Sequence, residues 1–221
     1  MRFKKRRPSP LAGEKPTRDI LPRFQGEPVD DLLPVPGECE RLSLLIVGVN
    51  PSPWTAAVNA PFAHPGNRFW PSLYRGGVIP HEVDCSRGLA EEDFHMMEEL
   101  RIGITNFVSG VATSKASELT TGQLREGARW VRGVVDKLEP ERVAIVGITA
   151  HRTAFKKPKA KLGRQTGEFL PEGWPNGVEL WVVPQPSGLN AHETIDSLAE
   201  KWKDVVQRRE AKRTTQRPPG V

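Results

Sequence analysis

The strongest constraint on the fold is a nearly continuous apolar run, Leu42-Ser-Leu-Leu-Ile-Val-Gly48. Such a run has no polar face, so it is typical of a strand that is covered on both sides, as in a parallel sheet. Similar runs predict further strands at 104–108, 142–148 and 179–183. We therefore expect a central sheet of four to five strands that is mainly parallel.

Helical patterns alternate with these strands. Apolar residues recur at spacings of three and four over residues 121–138, which predicts an amphipathic helix there. Weaker patterns predict helices at 89–100, 149–155 and 195–206, and a short helix after Asn67; residues 50–67 are expected to form a long loop. This alternation predicts a three-layer α/β/α fold, with Trp130 and Trp202 in its core.

The ends of the chain differ in composition from its middle. Residues 1–40 are rich in proline and charge and are expected to form an irregular basic arm. Residues 41–207 form the expected domain, and residues 208–221 a basic tail. The net charge of +5 divides into +5 for residues 1–7, +4 for residues 208–221 and −4 for the part between them. The basic ends indicate either salt-sensitive contact with nucleic acid or solubilising tails.

Composition also argues against several classes of protein. Cys39 and Cys85 are far apart and no CxxC pair occurs, so we expect no zinc site and no iron–sulfur cluster. No stretch approaches the roughly 20 apolar residues of a membrane span, and no apolar segment follows the basic start as in a secretory signal. We expect a monomer in a reducing compartment, the cytoplasm or, in a eukaryote, the nucleus, with no membrane partner.

Two loops lie where ligands bind in such sheets, beyond the carboxyl ends of strands. The first reads Gly48-Val-Asn-Pro-Ser52, then Pro61-Phe-Ala-His-Pro-Gly-Asn-Arg-Phe-Trp70; the second reads Pro184-Gln-Pro-Ser-Gly-Leu-Asn190. Together they resemble the mismatch-specific uracil/thymine-DNA glycosylase family. The family pattern is Gly-Ile-Asn-Pro-Gly, Pro-Phe-Ala-His-Pro-x-Asn-Arg-Phe-Trp and Asn-Pro-Ser-Gly-Leu, and the resemblance extends over roughly 40–206 in the same order and spacing.

The resemblance implies an activity and a set of site residues. It implies a uracil-DNA glycosylase-like fold and hydrolysis of the N-glycosidic bond of uracil, with thymine or etheno-cytosine as further substrates. The base is flipped out of double-stranded DNA, or taken from single-stranded DNA, during base excision repair, without a cofactor or metal. Asn50 matches the asparagine that holds the attacking water. The base-binding positions are Val49, Ser52 and Phe62, and those of the wedge that enters the duplex are Ser187, Gly188, Leu189 and Asn190.

The chain departs from the family pattern at three positions. Ser52 replaces the glycine after Asn-Pro, Gln185 replaces the asparagine that opens the second loop, and Ala191 stands where some members carry an arginine. The last two departures mean that the resemblance does not imply strict specificity for guanine mismatches.

The chemistry of base excision requires these residue types independently of the family. A base inside a duplex is unreachable, so the enzyme must extrude it, and an apolar side chain such as that of Leu189 fills the gap. The Asn50 amide is no proton acceptor at neutral pH, but its carbonyl oxygen accepts a hydrogen bond from water and directs that water at the sugar. Fixed backbone N–H groups stabilise the negative charge on the departing base.

Two further features each have two interpretations. Asp93 lies on the apolar stripe of the helix at 89–100, either as a first-turn acid stabilised by the helix dipole or as a second catalytic residue that borders the pocket and assists Asn50. Lys157 and Lys159 belong to the basic loop at 156–161, which either contacts DNA phosphates or is a solvated turn. His64 is interpreted as structural.

Two other functions remain open at this point. One is a DNA-binding module of the same fold that recognises lesions without cutting. The other is a nucleotide-phosphate binder that uses the Gly48–Ser52 loop, although this loop lacks the multiple glycines or the lysine of phosphate cradles.

Overall fold

A five-stranded sheet forms the centre of the molecule. The computed structural model describes residues 1–35, 37 and 41–214, with side chains of the last helix described as far as residue 207. The strands are β1 (Leu44–Gly48), β2 (Ile102–Asn106), β3 (Arg142–Val146), β4 (Gly163–Gln165) and β5 (Glu179–Val183). Their order is β2-β1-β3-β5-β4, and all neighbouring pairs are parallel except β4 with β5. The predicted, mainly parallel sheet is confirmed.

Helices cover both faces of this sheet. They are α1 (Pro53–Val58), α2 (Phe69–Arg75), α3 (Glu91–Leu100), α4 (Thr121–Leu138), α5 (Ile148–Ala154) and α6 (Ile195–Thr214). Helices α4 and α5 pack together on one face, and α2 packs with α6 on the other. The predicted three-layer α/β/α architecture is thus confirmed. Within the described residues, no helix is long and apolar enough to cross a membrane.

Strand β1 occupies the middle of the core. All five of its residues are buried, and the side chains of Leu45, Ile46 and Val47 are fully inaccessible. β1 lies between β2 and β3 with helices above and below, so each of its side chains meets protein rather than water. The continuous apolar run reflects this position.

The N-terminal segment packs on the domain and covers the edge of β2. The backbone of Leu32 exchanges two hydrogen bonds with Ile104, of 2.8 and 2.9 Å. Phe3 is buried, and its N–H donates to the Glu98 carboxylate. A strand edge with unpaired backbone N–H and C=O groups can pair with another chain and aggregate. The backbone of Leu32 forms hydrogen bonds with some of these groups at the edge of β2.

Two of the basic side chains near the N-terminus form hydrogen bonds or ion pairs with later residues of the chain. Arg6 donates to the backbone oxygens of Asp30 and Asn59, and Arg7 forms an ion pair with Asp30 at 2.8 Å. The guanidinium groups of Arg6 and Arg7 therefore have structural partners. The tail predicted at 208–221 has no described side chains, and residues 215–221 lie outside the described part altogether.

The structure corrects three local expectations. Residues 53–58 form α1 inside the predicted loop, because Ser52 caps the helix by accepting from the Thr55 N–H at 3.2 Å and Pro53 occupies the first helical position. Strand β4 was not predicted, because its sequence Gly-Arg-Gln carries no apolar pattern. Trp130 is 51% exposed rather than in the core.

His151 is a buried histidine that packs against Phe155. Its side chain is fully inaccessible, and neither ring nitrogen has a hydrogen-bond partner among the described residues. Burial, assisted by the nearby positive charges of Arg152 and Lys157, lowers the pKa of His151 to about 4. The folded protein therefore keeps this imidazole neutral well below pH 6.

Folding stability should consequently fall in mild acid. The unfolded chain takes up a proton near pH 6.5 while the folded protein does not, so the free energy of unfolding should fall by about 3 kcal/mol between pH 7 and pH 4 from this group. Urea denaturation of wild type and His151→Leu across this range tests the prediction. The free energy of unfolding should depend much less on pH in His151→Leu than in wild type. Substitution of an exposed histidine, His192→Gln, should leave the wild-type pH dependence unchanged. Parallel slopes for wild type and His151→Leu would contradict the assignment.

Candidate active site

A cavity of about 360 Å³ opens at the carboxyl edge of the sheet, within the size range of small-molecule sites. It lies where the chain leaves β1, β2, β3 and β5, so the two loops predicted to form a site do come together. The lining residues are Val49, Asn50, Pro51, Ser52, Thr55, Pro61, Phe62, His64, Gly66, Asn67, Asn106, Thr113, Ser114, Ala116, Val146, Gln185, Pro186, Ser187, Gly188 and Leu189.

The wall of this cavity carries no formal charge. Among its described lining residues there is no aspartate, glutamate, lysine or arginine, and the polar groups are amides, hydroxyls and one imidazole. In the described part of the chain, no group of histidine, cysteine, aspartate and glutamate residues is arranged to hold a metal ion. The arrangement suits a neutral, flat ligand that is recognised by hydrogen bonds and stacking.

The orientation of the Asn50 amide is fixed by its neighbours. Its Nδ2 donates to the hydroxyl of Thr113 at 2.7 Å and to the carbonyl oxygens of Pro51 and Val111 at 3.0 and 3.3 Å. The Thr113 hydroxyl itself donates to the Lys115 carbonyl at 2.9 Å, so it receives the bond from Asn50 as an acceptor. These contacts engage the nitrogen side of the amide and leave the Oδ1 atom of Asn50 as the acceptor for a ligand or water in the cavity.

Phe62 is an aromatic wall with one face covered. Its ring stacks on Phe69 with centroids 3.8 Å apart and planes 17° apart, and Phe69 in turn makes edge contacts with Trp70 and Trp202. The backbone of Phe62 has a φ of 54°, a left-handed conformation that is rare for a bulky residue and is maintained by its surroundings. The rigid backing from Phe69 makes Phe62 a suitable platform for a planar ring.

Asn106 is a second cavity amide that sequence reasoning missed. It ends β2 beside the end of β1, and a Cβ atom added to Gly48 would lie only 2.2 Å from its Oδ1 atom. A side chain at position 48 would therefore displace the Asn106 amide from its place above Gly48. The predicted strand, 104–108, placed Asn106 in its middle, whereas the observed strand ends at Asn106, so the sequence did not mark this residue as part of a site.

The other residues predicted to bind the base also reach the cavity. Val49 is largely buried beside Asn50. The Ser52 hydroxyl lies at the cavity, but it caps α1 and bonds to the Thr55 hydroxyl at 3.1 Å. His64 accepts from the Gly66 N–H through Nδ1 at 3.0 Å, and partial burial lowers its pKa, so the neutral ring presents Nε2–H as a donor.

The second loop presents one highly exposed apolar side chain among the residues that line the cavity. Leu189 is 89% exposed, although the loop that carries it is ordered by hydrogen bonds. The Ser187 hydroxyl accepts from the Leu189 N–H at 3.3 Å, and the Asn190 side chain donates to the Gln185 carbonyl at 2.9 Å. Asn190 therefore stabilises the loop through its backbone, and reciprocal hydrogen bonds between Thr194 and Ser197 cap the N-terminus of α6.

Arg68 anchors this loop to the first one, a role that sequence reasoning missed. Its guanidinium donates to the carbonyl oxygens of Gly188, Asn190 and Glu193, at 3.2, 2.9 and 2.6 Å. The two loops touch so closely that a Cβ atom on Gly188 would lie 2.6 Å from the Gly66 carbonyl oxygen. Leu189 is thus exposed on a preorganised support.

The structure corrects the expectation that Asp93 borders the pocket. Asp93 is 5% exposed, as its position on the apolar stripe predicts, but it does not line the cavity. It lies in the first turn of α3, and its carboxylate is 2.7 Å from His81 Nε2. This placement fits a helix acid with a structural partner, and Asn50 has no carboxylate beside it in the cavity wall.

The two predicted lysines also lie away from the cavity. Lys157 donates to the Glu168 carbonyl at 2.7 Å, and Lys159 is exposed on the same loop. Neither is among the residues that line the cavity. Their contact with phosphates stays a prediction, and the neighbouring Lys156 lines a separate groove that is described below.

Comparison with known protein families agrees with this geometry. Residues 36–206 match the model of the uracil DNA glycosylase superfamily. The matched range contains all five strands, both loops and every residue that lines the cavity. The chain therefore belongs to the uracil DNA glycosylase superfamily, a group of hydrolytic enzymes that act on DNA.

Proposed function

We propose that this protein is a monofunctional glycosylase that removes uracil from DNA and resembles the mismatch-specific type, with thymine and etheno-cytosine as further candidate substrates. The observation that carries the proposal is the oriented Asn50 amide in an uncharged cavity, beside an exposed leucine on a braced loop. A base of duplex DNA can enter a protein cavity only after it has left the stack.

Recognition of the flipped base uses stacking and amide contacts. The pyrimidine ring lies on the free face of Phe62, and the Asn106 amide supplies one acceptor and two donors for its polar edge. Leu189 enters the duplex and fills the space that the base leaves, which offsets part of the cost of unstacking, a few kcal/mol.

Hydrolysis then proceeds with water as the nucleophile. The Oδ1 atom of Asn50 accepts a hydrogen bond from this water and directs its oxygen at the sugar carbon. The glycosidic bond breaks with its electron pair moving to the base, and the water oxygen bonds to the sugar. The water gives up one proton to solvent and the base anion takes up one proton from solvent, so that an abasic site and the free base remain. No lysine lines the described cavity, which favours hydrolysis over attack by an amine.

A second candidate is the non-catalytic lesion-binding module. The specific observation in its favour is that no carboxylate lines the described cavity to accept a proton from water. Binding of a nucleotide phosphate is disfavoured by the same neutral wall, because no lysine or arginine reaches a ligand there.

Replacing Asn50 tests the proposed function directly. Asn50→Ala removes the group that positions the water, so release of uracil should fall by about 10²-fold or more while DNA binding persists. The assay follows abasic product from duplexes and single strands that contain uracil, thymine or etheno-cytosine opposite each base. The exposed Asn176→Ala serves as the matched control and should act like wild type. Binding of these DNAs by wild type without release of any base would identify the lesion-binding module instead.

The hydrogen bond from Asn50 to Thr113 should matter for turnover rather than for affinity. Thr113→Val keeps the shape of the side chain but removes the acceptor, so the Asn50 amide loses its fixed orientation and the single-turnover rate should fall by about tenfold to 10²-fold. Thr113→Ser retains the hydroxyl and should restore most of the rate. Equal rates for the valine and serine variants would remove Thr113 from this role, and the dissociation constant for DNA is measured in parallel.

Leu189 should matter only where a duplex must be opened. Leu189→Ala should slow the removal of uracil from duplex DNA more than from single-stranded DNA, because only the duplex leaves a gap to be filled. The ratio of the two rates, compared between wild type and variant, is the measurement. A similar loss on both substrates would be inconsistent with a wedge.

A further inference from the structure

A groove lies between α4 and α5. Its upper part is lined by Thr121, Arg125, Thr149, Arg152, Thr153 and Lys156. Arg125 and Lys156 also line its lower part, which continues past Arg129 to Arg132. The two parts form one continuous path with arginine and lysine side chains along it.

The cations of this groove share one face of α4. Arg125, Arg129 and Arg132 stand at spacings of four and three, which places them in a row along the helix. An α-helix rises 1.5 Å per residue, so the row is about 10 Å long, close to the axial length of about three base pairs of DNA. The spacing therefore matches successive groups of a nucleic-acid backbone.

Several of these charges have no partner within the protein. Among the described residues, the side chains of Arg125, Arg129 and Lys156 form no ion pair and no hydrogen bond, and all three are exposed. Arg132 and Arg152 are held instead, the first by Asp136 and the second by the Ala160 carbonyl. The carboxylates that line the groove, Asp136 and Glu172, lie only in its lower part. The end nearest the cavity is thus purely cationic and keeps its charge for a ligand.

The chain connects this end of the groove directly to the cavity. Ala116 lines the cavity, and five residues later Thr121 begins α4 and lines the groove. Val146 lines the cavity, and three residues later Thr149 lines the groove on α5. The exposed residues Thr121 and Thr149 therefore follow the cavity wall closely along the chain, and Arg125 lies about one helical turn after Thr121.

We propose that the groove between α4 and α5 binds the sugar-phosphate backbone of the DNA that flanks the flipped nucleotide. This inference rests on DNA as the substrate, but not on which base is removed. Hydroxyl groups and cations without carboxylates are the usual partners of phosphate oxygens, and such contacts position a protein on DNA without reading its sequence. Contacts in the groove would thus add DNA binding that does not depend on sequence to the contact made by Leu189.

The test combines three neutral substitutions, Arg125→Gln, Arg129→Gln and Lys156→Gln. Fluorescence anisotropy measures binding to two duplexes without uracil over a range of salt concentrations. One duplex has about one helical turn and the other about two. Each lost phosphate contact lowers the slope of log affinity against log salt by about 0.9, so the triple variant should lose about 2 to 3 from the slope on the longer duplex. On the shorter duplex the difference from wild type should be smaller.

A matched triple variant controls for net charge. Arg18→Gln, Arg87→Gln and Lys137→Gln remove three exposed cations outside the groove, the last of them on α4 itself, and should keep the wild-type slope within about one contact. Circular dichroism checks that both triple variants are folded. Equal slopes for wild type and the groove variant would overturn the proposal. A polyglutamate peptide that binds wild type but not the groove variant, while both proteins bind DNA equally, would overturn the proposal and assign the groove to an acidic protein segment.

Failure of the proposed function has a different signature. Excision of uracil from a short single-stranded oligonucleotide is measured with the same proteins. Absence of excision by wild type would contradict the glycosylase proposal and leave the salt slopes valid as a test of the groove. Normal excision by wild type, together with equal salt slopes for wild type and the groove variant, would contradict only the proposal that the groove binds DNA.

Discussion

The site depends on a pairing between β1 and β2 that continues beyond the sheet. Past the last paired residues, the N–H groups of Phe107 and Val108 donate to the Gly48 and Val49 carbonyls, and the Thr113 N–H donates to the Pro51 carbonyl, each at 3.0 Å. This backbone ladder places the Thr113 hydroxyl against the Asn50 amide. The orientation of the Asn50 amide is thus a consequence of strand register, and a shift between β1 and β2 would separate the two side chains.

An uncharged cavity limits the chemistry that is open to the enzyme. Without a carboxylate in the described wall, full removal of a proton from water has no acceptor there, so bond breaking must precede or accompany water attack. Cleavage is then assisted mainly by stabilising the departing base and by placing the water, for which oriented dipoles are suited. In the proposed mechanism Asn50 and Asn106 supply such dipoles, and the rigid Phe62 reduces the freedom of the base between them.

Long periodic segments allowed most of the fold to be predicted, whereas contacts between distant segments did not follow from pattern. The predicted bounds of α4, residues 121–138, are those observed, because its apolar stripe repeats over five turns. The stripe on α3 correctly placed Asp93 on the inward side, but spacing cannot identify the neighbour, which is His81 from another segment. Asn50 and Leu189 could be found because short motifs carry them. Arg68 lies inside the first motif, but its role, like that of Thr113, depends on partners far away in the sequence, which a motif does not identify.

The groove between α4 and α5 is cationic at its upper end, whereas the wall of the cavity carries no formal charge among the described residues. This difference follows from the ligands proposed for each, a phosphate backbone and an uncharged base. The part of the chain between the basic ends carries a net charge of −4, so its overall field does not attract DNA. At physiological ionic strength, exposed charges are screened over about 8 Å, so a phosphate responds to the cations beside it rather than to that net charge. We propose that the groove therefore attracts DNA locally, because Arg125 and Lys156 lie at its upper end and Asp136 and Glu172 line only its lower part. The adjacent cavity stays neutral and can hold an uncharged base without competing for phosphate. Separation of the two functions lets binding vary with salt while the geometry at Asn50 stays unchanged.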